Sequence, residues 1–289
     1  MDASRKATSA GLLAILLWSS LALLTVATEG LPPFQVLAIA FSVAAALGLL
    51  RVGLRGGAGW AELRQPPPAL ALATAALFGY HALYFIALKR APAVEANLLN
   101  YMWPLLIVVF AGFLPGVRIG PLQWLGTLMG LAAAVLLVTG GQRLQVDARY
   151  LPGYLAAISA ALVWAAYSVL NRRHAQVPSA AITVACVGVA VLGTLVHLLV
   201  ERTVAPTPWQ WAALLAMGIG PTGAAFLLWD TGTKRGDIAL LGSLSYVAPL
   251  LSTVLLVLSG RAQPHPLQAV ALALLLAGAW LSTRSRASG

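Results

Sequence analysis

Ten runs of about twenty mostly apolar residues follow one another along this chain, separated by short polar breaks. A helix needs roughly 20 apolar residues to cross the hydrocarbon core of a bilayer, so each run is long enough to span it. The runs lie at 8–28, 33–52, 68–88, 93–114, 121–139, 151–170, 179–200, 208–231, 238–258 and 266–283. Several begin beside proline, whose missing N–H does no harm in a first helical turn. The breaks are short, so the expected fold is all-α and integral to the membrane, with the helices in one compact bundle. No stretch within the 289 residues is polar enough for a soluble domain.

Charge makes the same point. Only 9% of the residues are charged, against about 25% in soluble domains. The formal net charge of +10 does not form a basic arm or patch. The basic residues sit at the ends of apolar runs, where membrane topology places them, so nucleic acid is excluded as a partner and the lipid bilayer takes its place. With the N-terminus inside, 12 of the 18 Lys and Arg fall on the cytoplasmic side, among them Arg5, Lys6, Arg172, Arg173, Lys234 and Arg286. The other side receives Lys89, Arg90, Arg143, Arg149, Arg202 and Arg261. Both termini are therefore expected in the cytoplasm. Arg5 and Lys6 precede a first run that continues to about Ala27 without a small-residue cleavage motif, so a retained span is expected rather than a signal peptide. The single cysteine, Cys186, lies inside a run and has no partner for an intrachain disulfide.

The chain also repeats itself. At an offset of 145, Lys89-Arg90 matches Lys234-Arg235, Tyr101 and Pro104 match Tyr246 and Pro249, and Pro121-Leu122-Gln123 matches Pro266-Leu267-Gln268. Trp18 matches Trp164 at an offset of 146. The expected organisation is one membrane domain built from two five-helix repeats, 1–145 and 146–289. An odd number of spans per repeat inverts the second copy, the design that lets two similar halves open a shared site alternately to either side.

Polar residues inside spans should face the bundle interior. Asn97, Asn100, Tyr101 and Pro104 share one face of the fourth span by their i, i+3, i+4, i+7 spacing, and Gly242, Ser245, Tyr246 and Pro249 repeat that face in the ninth. Trp164, Tyr167, Ser168 and Asn171 have the same spacing in the sixth, and Tyr80, His81 and Tyr84 lie on one side of the third. The candidate substrate-binding set is Tyr80, His81, Tyr84, Asn100, Tyr101, Trp103, Trp164, Tyr167, Ser168, Ser245 and Tyr246, with Pro104 and Pro249 as hinges. For the amides and serines, simple interhelical hydrogen bonding is an equally good reading; for the prolines, so is a static kink. Trp60, Trp209, Trp211 and Trp280 read as interfacial anchors. His197, near a span end, and His174 and His265, in loops, are expected to be solvated. Gly126 and Gly130 form a GxxxG pattern that suggests close helix packing or a dimer contact, packing being the safer reading, and the chain is expected to act as a monomer.

The cargo is constrained by what the spans lack. No Arg or Lys lies mid-span to hold a phosphate, and the nearby acids, Glu95, Asp230 and Asp237, are close to helix ends. What remains suits zwitterionic or weakly charged molecules with apolar or aromatic parts, including cations held over ring faces. No cofactor or metal is expected, and no His/Asp/Glu cluster supports a membrane-embedded enzyme. A passive channel would leave the repeat without a purpose. Proton exchange and facilitated diffusion both fit.

The paired halves, the two tryptophans, the run Trp164-Ala-Ala-Tyr-Ser-Val-Leu-Asn-Arg-Arg173 and the two Tyr-x-x-Pro segments resemble the EamA-type drug/metabolite transporter family. Asn100-Tyr-Met-Trp-Pro-Leu105 is most similar to that family's aromatic amino acid exporters of the YddG group. The resemblance implies ten helices in a 5+5 inverted bundle of a bacterial inner membrane. It also implies export of amino acids and related metabolites, tolerance of viologen-type cations, and cavity contacts from Tyr80, His81, Tyr101, Trp103 and Trp164. A broad exporter of hydrophobic or cationic drugs is the alternative.

Overall fold

The computed structural model describes residues 3–142 and 147–284. Arg143 and Arg286 of the charge count, and the division expected at 145/146, lie outside the described residues. Among those described, every regular element is helical. Ten helices are long and apolar enough to cross a membrane: α1 Ala3–Ala27, α2 Pro33–Leu54, α3 Pro67–Arg90, α4 Ala93–Ala111, α5 Pro121–Thr139, α6 Ala148–His174, α7 Ser179–Val200, α8 Pro208–Arg235, α9 Ile238–Leu258 and α10 Pro266–Arg284. Three match the runs read from the sequence end to end. A further short helix, Gly56–Leu63, links α2 to α3, with Arg55 and Glu62 joined across it at 2.5 Å.

Four of the ten are not continuous, and in three of them a proline explains the break. A proline lacks the N–H that would bond the carbonyl four residues back and clashes with that carbonyl. In α4 the helix breaks at Tyr101–Met102, inside the turn between Asn100 and Pro104. In α9 it breaks at Ser245–Tyr246, inside the turn between Ser245 and Pro249. In α8, Pro221 sits in a π-turn over Gly220–Ala224. There the Thr222 hydroxyl donates to the Met217 carbonyl at 2.9 Å, supplying the bond Pro221 cannot. α1 breaks at Ser19–Ser20, where both hydroxyls donate back to the helix, Ser19 to Ile15 at 3.0 Å and Ser20 to Leu17 at 2.7 Å. Such back-bonding bends helices.

The chain forms two compact units, each drawing helices from both halves of the sequence: Met1–Phe78 with Asn171–Gly236, and Gly79–Leu170 with Asp237–Gly289. In the first unit α1 packs on the second half of α8, while α2 packs on α7 and on the first half of α8. Its membrane edge is tied by Glu201. That carboxylate accepts the N–H groups of Phe34 and Gln35 at 3.1 Å each, capping α2, whose own N-cap residue Pro32 has no side-chain oxygen to offer. Gln35 then pairs both amide groups with the backbone of Val204. His197 was expected to be solvated; it is buried, with Nδ1 2.9 Å from Glu201 and Nε2 2.9 Å from Thr203. One helical turn separates His197 from Glu201, so the carboxylate that caps α2 draws the imidazole inward.

The same unit holds a buried ion pair. Lys234 Nζ lies 2.9 Å from Asp230 Oδ2, with side chains only 4% and 1% exposed. Lys234 also donates to the Val177 carbonyl at 3.1 Å, Asn171 donates to the other Asp230 oxygen at 2.8 Å, and Arg172 donates to the carbonyls of Thr233 and Gly236. This neutralised end lets α8 continue a turn past residue 231, where the apolar run stops.

In the second unit α10 packs along α5, and α4 packs on α6 and α9. The α5–α10 contact answers the GxxxG pattern. A Cβ on Gly278 would lie 2.6 Å from the Gly126 carbonyl, and one on Gly126 would collide with Gly278 and Ser282. Gly130 accepts the Tyr246 ring in the same way, with Cδ2 at 2.6 Å from where a Cβ would stand. The pattern is internal packing, as the safer reading held.

Two predictions follow from these contacts. Gly126→Val should lower the melting temperature of the detergent-solubilised protein by the equivalent of about 1–3 kcal/mol through overpacking; Gly79→Ala, where nothing lies within 4 Å, should not. Asp230→Leu or Lys234→Met alone should destabilise by about 3–5 kcal/mol by stranding a buried charge, and the double variant should recover most of that loss in the same thermal assay.

Candidate functional site

An aromatic and amide cluster lies within the second unit on α3, α4 and α6. Tyr80 and Tyr84, one turn apart on α3, stack with centroids 6.1 Å apart and planes 7° off parallel. α4 follows α3 through a tight turn at Ala91–Pro92, and a two-rung ladder joins their side chains. Asn100 Nδ2 donates to the Tyr80 oxygen at 3.1 Å, and the Tyr84 hydroxyl donates to Asn97 Oδ1. As residue numbers rise by four along α3 they fall by three along α4, the registry of antiparallel helices. α6 adds Trp164, 5.5 Å from the Tyr80 ring and 5.5 Å from the Tyr167 ring. His81 meets Tyr80 edge-on at 5.2 Å and Phe85 at 6.3 Å. Such ring pairs contribute about 0.5–1.5 kcal/mol each beyond their burial.

The expected site residues thus fall into two groups. Tyr80, His81, Tyr84, Asn100, Trp164 and Tyr167 come together, Tyr80, His81 and Tyr84 half-buried and Asn100, Trp164 and Tyr167 buried. Tyr101 sits at the break in α4, half-buried. Trp103 and Pro104 open the helical segment after the break, both buried. The others are held within or against helices. Ser168 donates to the Trp164 carbonyl at 2.8 Å and Ser245 to the Leu241 carbonyl at 2.6 Å, so each spends its one proton on its own helix. Tyr246 is fully buried over Gly130, and Pro249 is buried in the segment beyond the α9 break.

Asn97 belongs with the cluster as the acceptor for Tyr84; its i, i+3 spacing to Asn100 was the signal. In the first unit Trp18 heads a second aromatic cluster, with Trp229 at 5.0 Å and Phe226 at 5.7 Å, and its indole N–H donates to the Pro221 carbonyl at 3.0 Å. The offset linking Trp18 to Trp164 was its sequence signal. Each of the two repeat-matched tryptophans therefore anchors an aromatic cluster beside an interrupted helix.

The polar inventory of the ladder is uneven. The Tyr80 oxygen accepts from Asn100 and keeps its own proton to donate, while Asn97 Oδ1 is occupied by Tyr84. Asn100 Oδ1 is buried without a donor. The cluster thus offers aromatic faces, one hydroxyl donor, the amide N–H groups of Asn97 and one amide acceptor, a surface for an aromatic molecule with a polar end. Among the described residues no three His, Cys, Asp or Glu gather to hold a metal.

A crystal structure 48% identical in sequence superposes with a TM-score of 0.92, covering 97% of this chain and 98% of its own. The aromatic amino acid exporter YddG of Ancylobacter novellus is 49% identical over 280 residues, 96% of each chain. The exporter of the same name from Salmonella typhimurium is 28% identical over 269 residues, 87% of this chain and 88% of that one. The EamA-like transporter family matches twice, at residues 5–139 and again at 151–284, and the chain belongs to that family.

Proposed function

We propose that this protein exports aromatic and other apolar amino acids and related metabolites by alternating access. The observation that carries the reading is the cluster of Tyr80, Tyr84, His81, Trp164 and Tyr167 beside the interrupted helix α4: rings to take an apolar side chain, and a hydroxyl and an amide to take a polar end. The near-full-length likeness to named aromatic amino acid exporters supports it. The double family match supports the division into two five-helix repeats, and an odd number of spans in each inverts the second. The breaks at Pro104 and Pro249 serve as the hinges, since a helix already lacking a bond bends there at least cost. The protein acts as a monomer in the bacterial inner membrane with both termini in the cytoplasm, the side that receives most of the Lys and Arg.

A second reading, export of organic cations, draws on the same parallel Tyr80 and Tyr84 faces, since cations bind over aromatic rings. Competition between a viologen and phenylalanine for one flux would show that both use this cluster.

Purified protein in proteoliposomes should release preloaded labelled phenylalanine faster than empty vesicles do, and release indistinguishable from empty vesicles would overturn the proposal. Trp164→Ala removes two ring contacts and should raise the half-saturating phenylalanine concentration about tenfold, at about 1.4 kcal/mol, while the protein stays folded. Trp103→Ala should also impair flux. Unchanged flux in both variants would take these residues out of the site.

A further inference from the structure

One atom of the ladder has no role in holding the fold together. Asn100 is 5% exposed, and its amide is oriented by donation from Nδ2 to the Tyr80 oxygen at 3.1 Å. That orientation leaves Oδ1 buried with no donor. Buried acceptors in membrane proteins ordinarily find a partner, because hydrocarbon offers none. The main-chain carbonyl of the same residue also lacks its α-helical donor, because residue 104 is proline. Asn100 is further the last residue of the helical segment Ala93–Asn100. The open Oδ1 and the carbonyl opposite Pro104 therefore favour a group with N–H bonds to donate. No Arg or Lys belongs to the cluster, and the neighbouring acceptor, Asn97 Oδ1, is already taken by the Tyr84 hydroxyl.

We infer that Asn100 recognises the ammonium group of the substrate, its side-chain Oδ1 accepting an ammonium N–H while the substrate's aromatic ring lies against Tyr80 and Trp164. The inference rests on the reading of this cluster as the amino-acid site and goes beyond it. It assigns the polar selectivity to the amino end of the substrate and to one atom. Aromatic amines should then be accepted as ligands, and aromatic carboxylates without an amine rejected. Tyr80 acts as a positioning residue, because its oxygen holds the amide with Oδ1 free.

The test measures ligand-induced thermal stabilisation of the purified full chain with phenylalanine, phenethylamine and 3-phenylpropanoate. The wild type should be stabilised by phenethylamine at concentrations about tenfold to a hundredfold below those needed for 3-phenylpropanoate. Asn100→Leu, similar in size without an acceptor, should bring the two compounds to within about threefold of each other. Asn100→Asp keeps the acceptor and adds charge, so it should keep or widen the preference for phenethylamine. A wild type without the preference, an Asn100→Leu variant that retains it, or an Asn100→Asp variant that loses it would each overturn the inference. If Asn100→Leu does not fold, the outcome with Asn100→Asp decides. Should the proteoliposomes show no phenylalanine flux while the amine preference and its loss in Asn100→Leu are observed, the export reading fails and the ammonium assignment stands.

Discussion

Hydrocarbon supplies no hydrogen bonds, so each backbone N–H and C=O inside it must be satisfied by the protein itself. Every interruption in these helices has to meet that demand, and at several of them the structure does so locally. At the π-turn of α8 the hydroxyl of Thr222 takes the carbonyl that Pro221 cannot serve, and the indole of Trp18 takes the carbonyl of Pro221. At the end of α7 a glutamate from one helix caps another. At the end of α8 a lysine and an aspartate neutralise each other and an asparagine donates to the carboxylate, so two charges can be buried. These bonds let the spans break without exposing polar backbone to lipid.

Not every buried side chain finds a partner, and one that does not lies in the α3–α4 ladder. In its lower rung Tyr84 gives its proton to the Asn97 oxygen. Its upper rung is half complete, with the Asn100 amide turned so that its nitrogen is used and its oxygen is not. The rung lies where α4 is already weakened by Pro104 and where three aromatic rings converge. A polar valence left open inside a membrane has a cost, and under the proposed assignment the substrate's ammonium group completes this one. Fold and proposed activity meet at this one turn of helix.

Much of this was legible in the chain. The lengths of the apolar runs gave ten helices within a few residues of their bounds, because span length follows from bilayer thickness alone. Helical spacing placed Asn97 beside Asn100, Tyr80 beside Tyr84 and Trp164 beside Tyr167, because one face of a helix depends only on residue number. The breaks in α4 and α9 followed from the two matched prolines. The break in α1 did not, because serine back-bonding depends on where each hydroxyl turns. His197 was misread for a similar reason: its burial depends on Glu201 being claimed by the start of α2, a contact across more than 160 residues.

What the sequence by itself determined is therefore the local and periodic part: the number of spans, their faces and the family. What only the tertiary structure decided is which faces meet. Ser168 and Ser245 carry the same spacing signal as Asn100, yet their hydroxyls bond back to their own helices. Asp230 and Lys234 read as charges near a helix end, yet they lie buried against Val177 and Asn171. Periodicity tells which side of a helix a residue occupies, but the partner across the gap comes from another part of the chain, and whether a donor finds an acceptor there is settled only by packing.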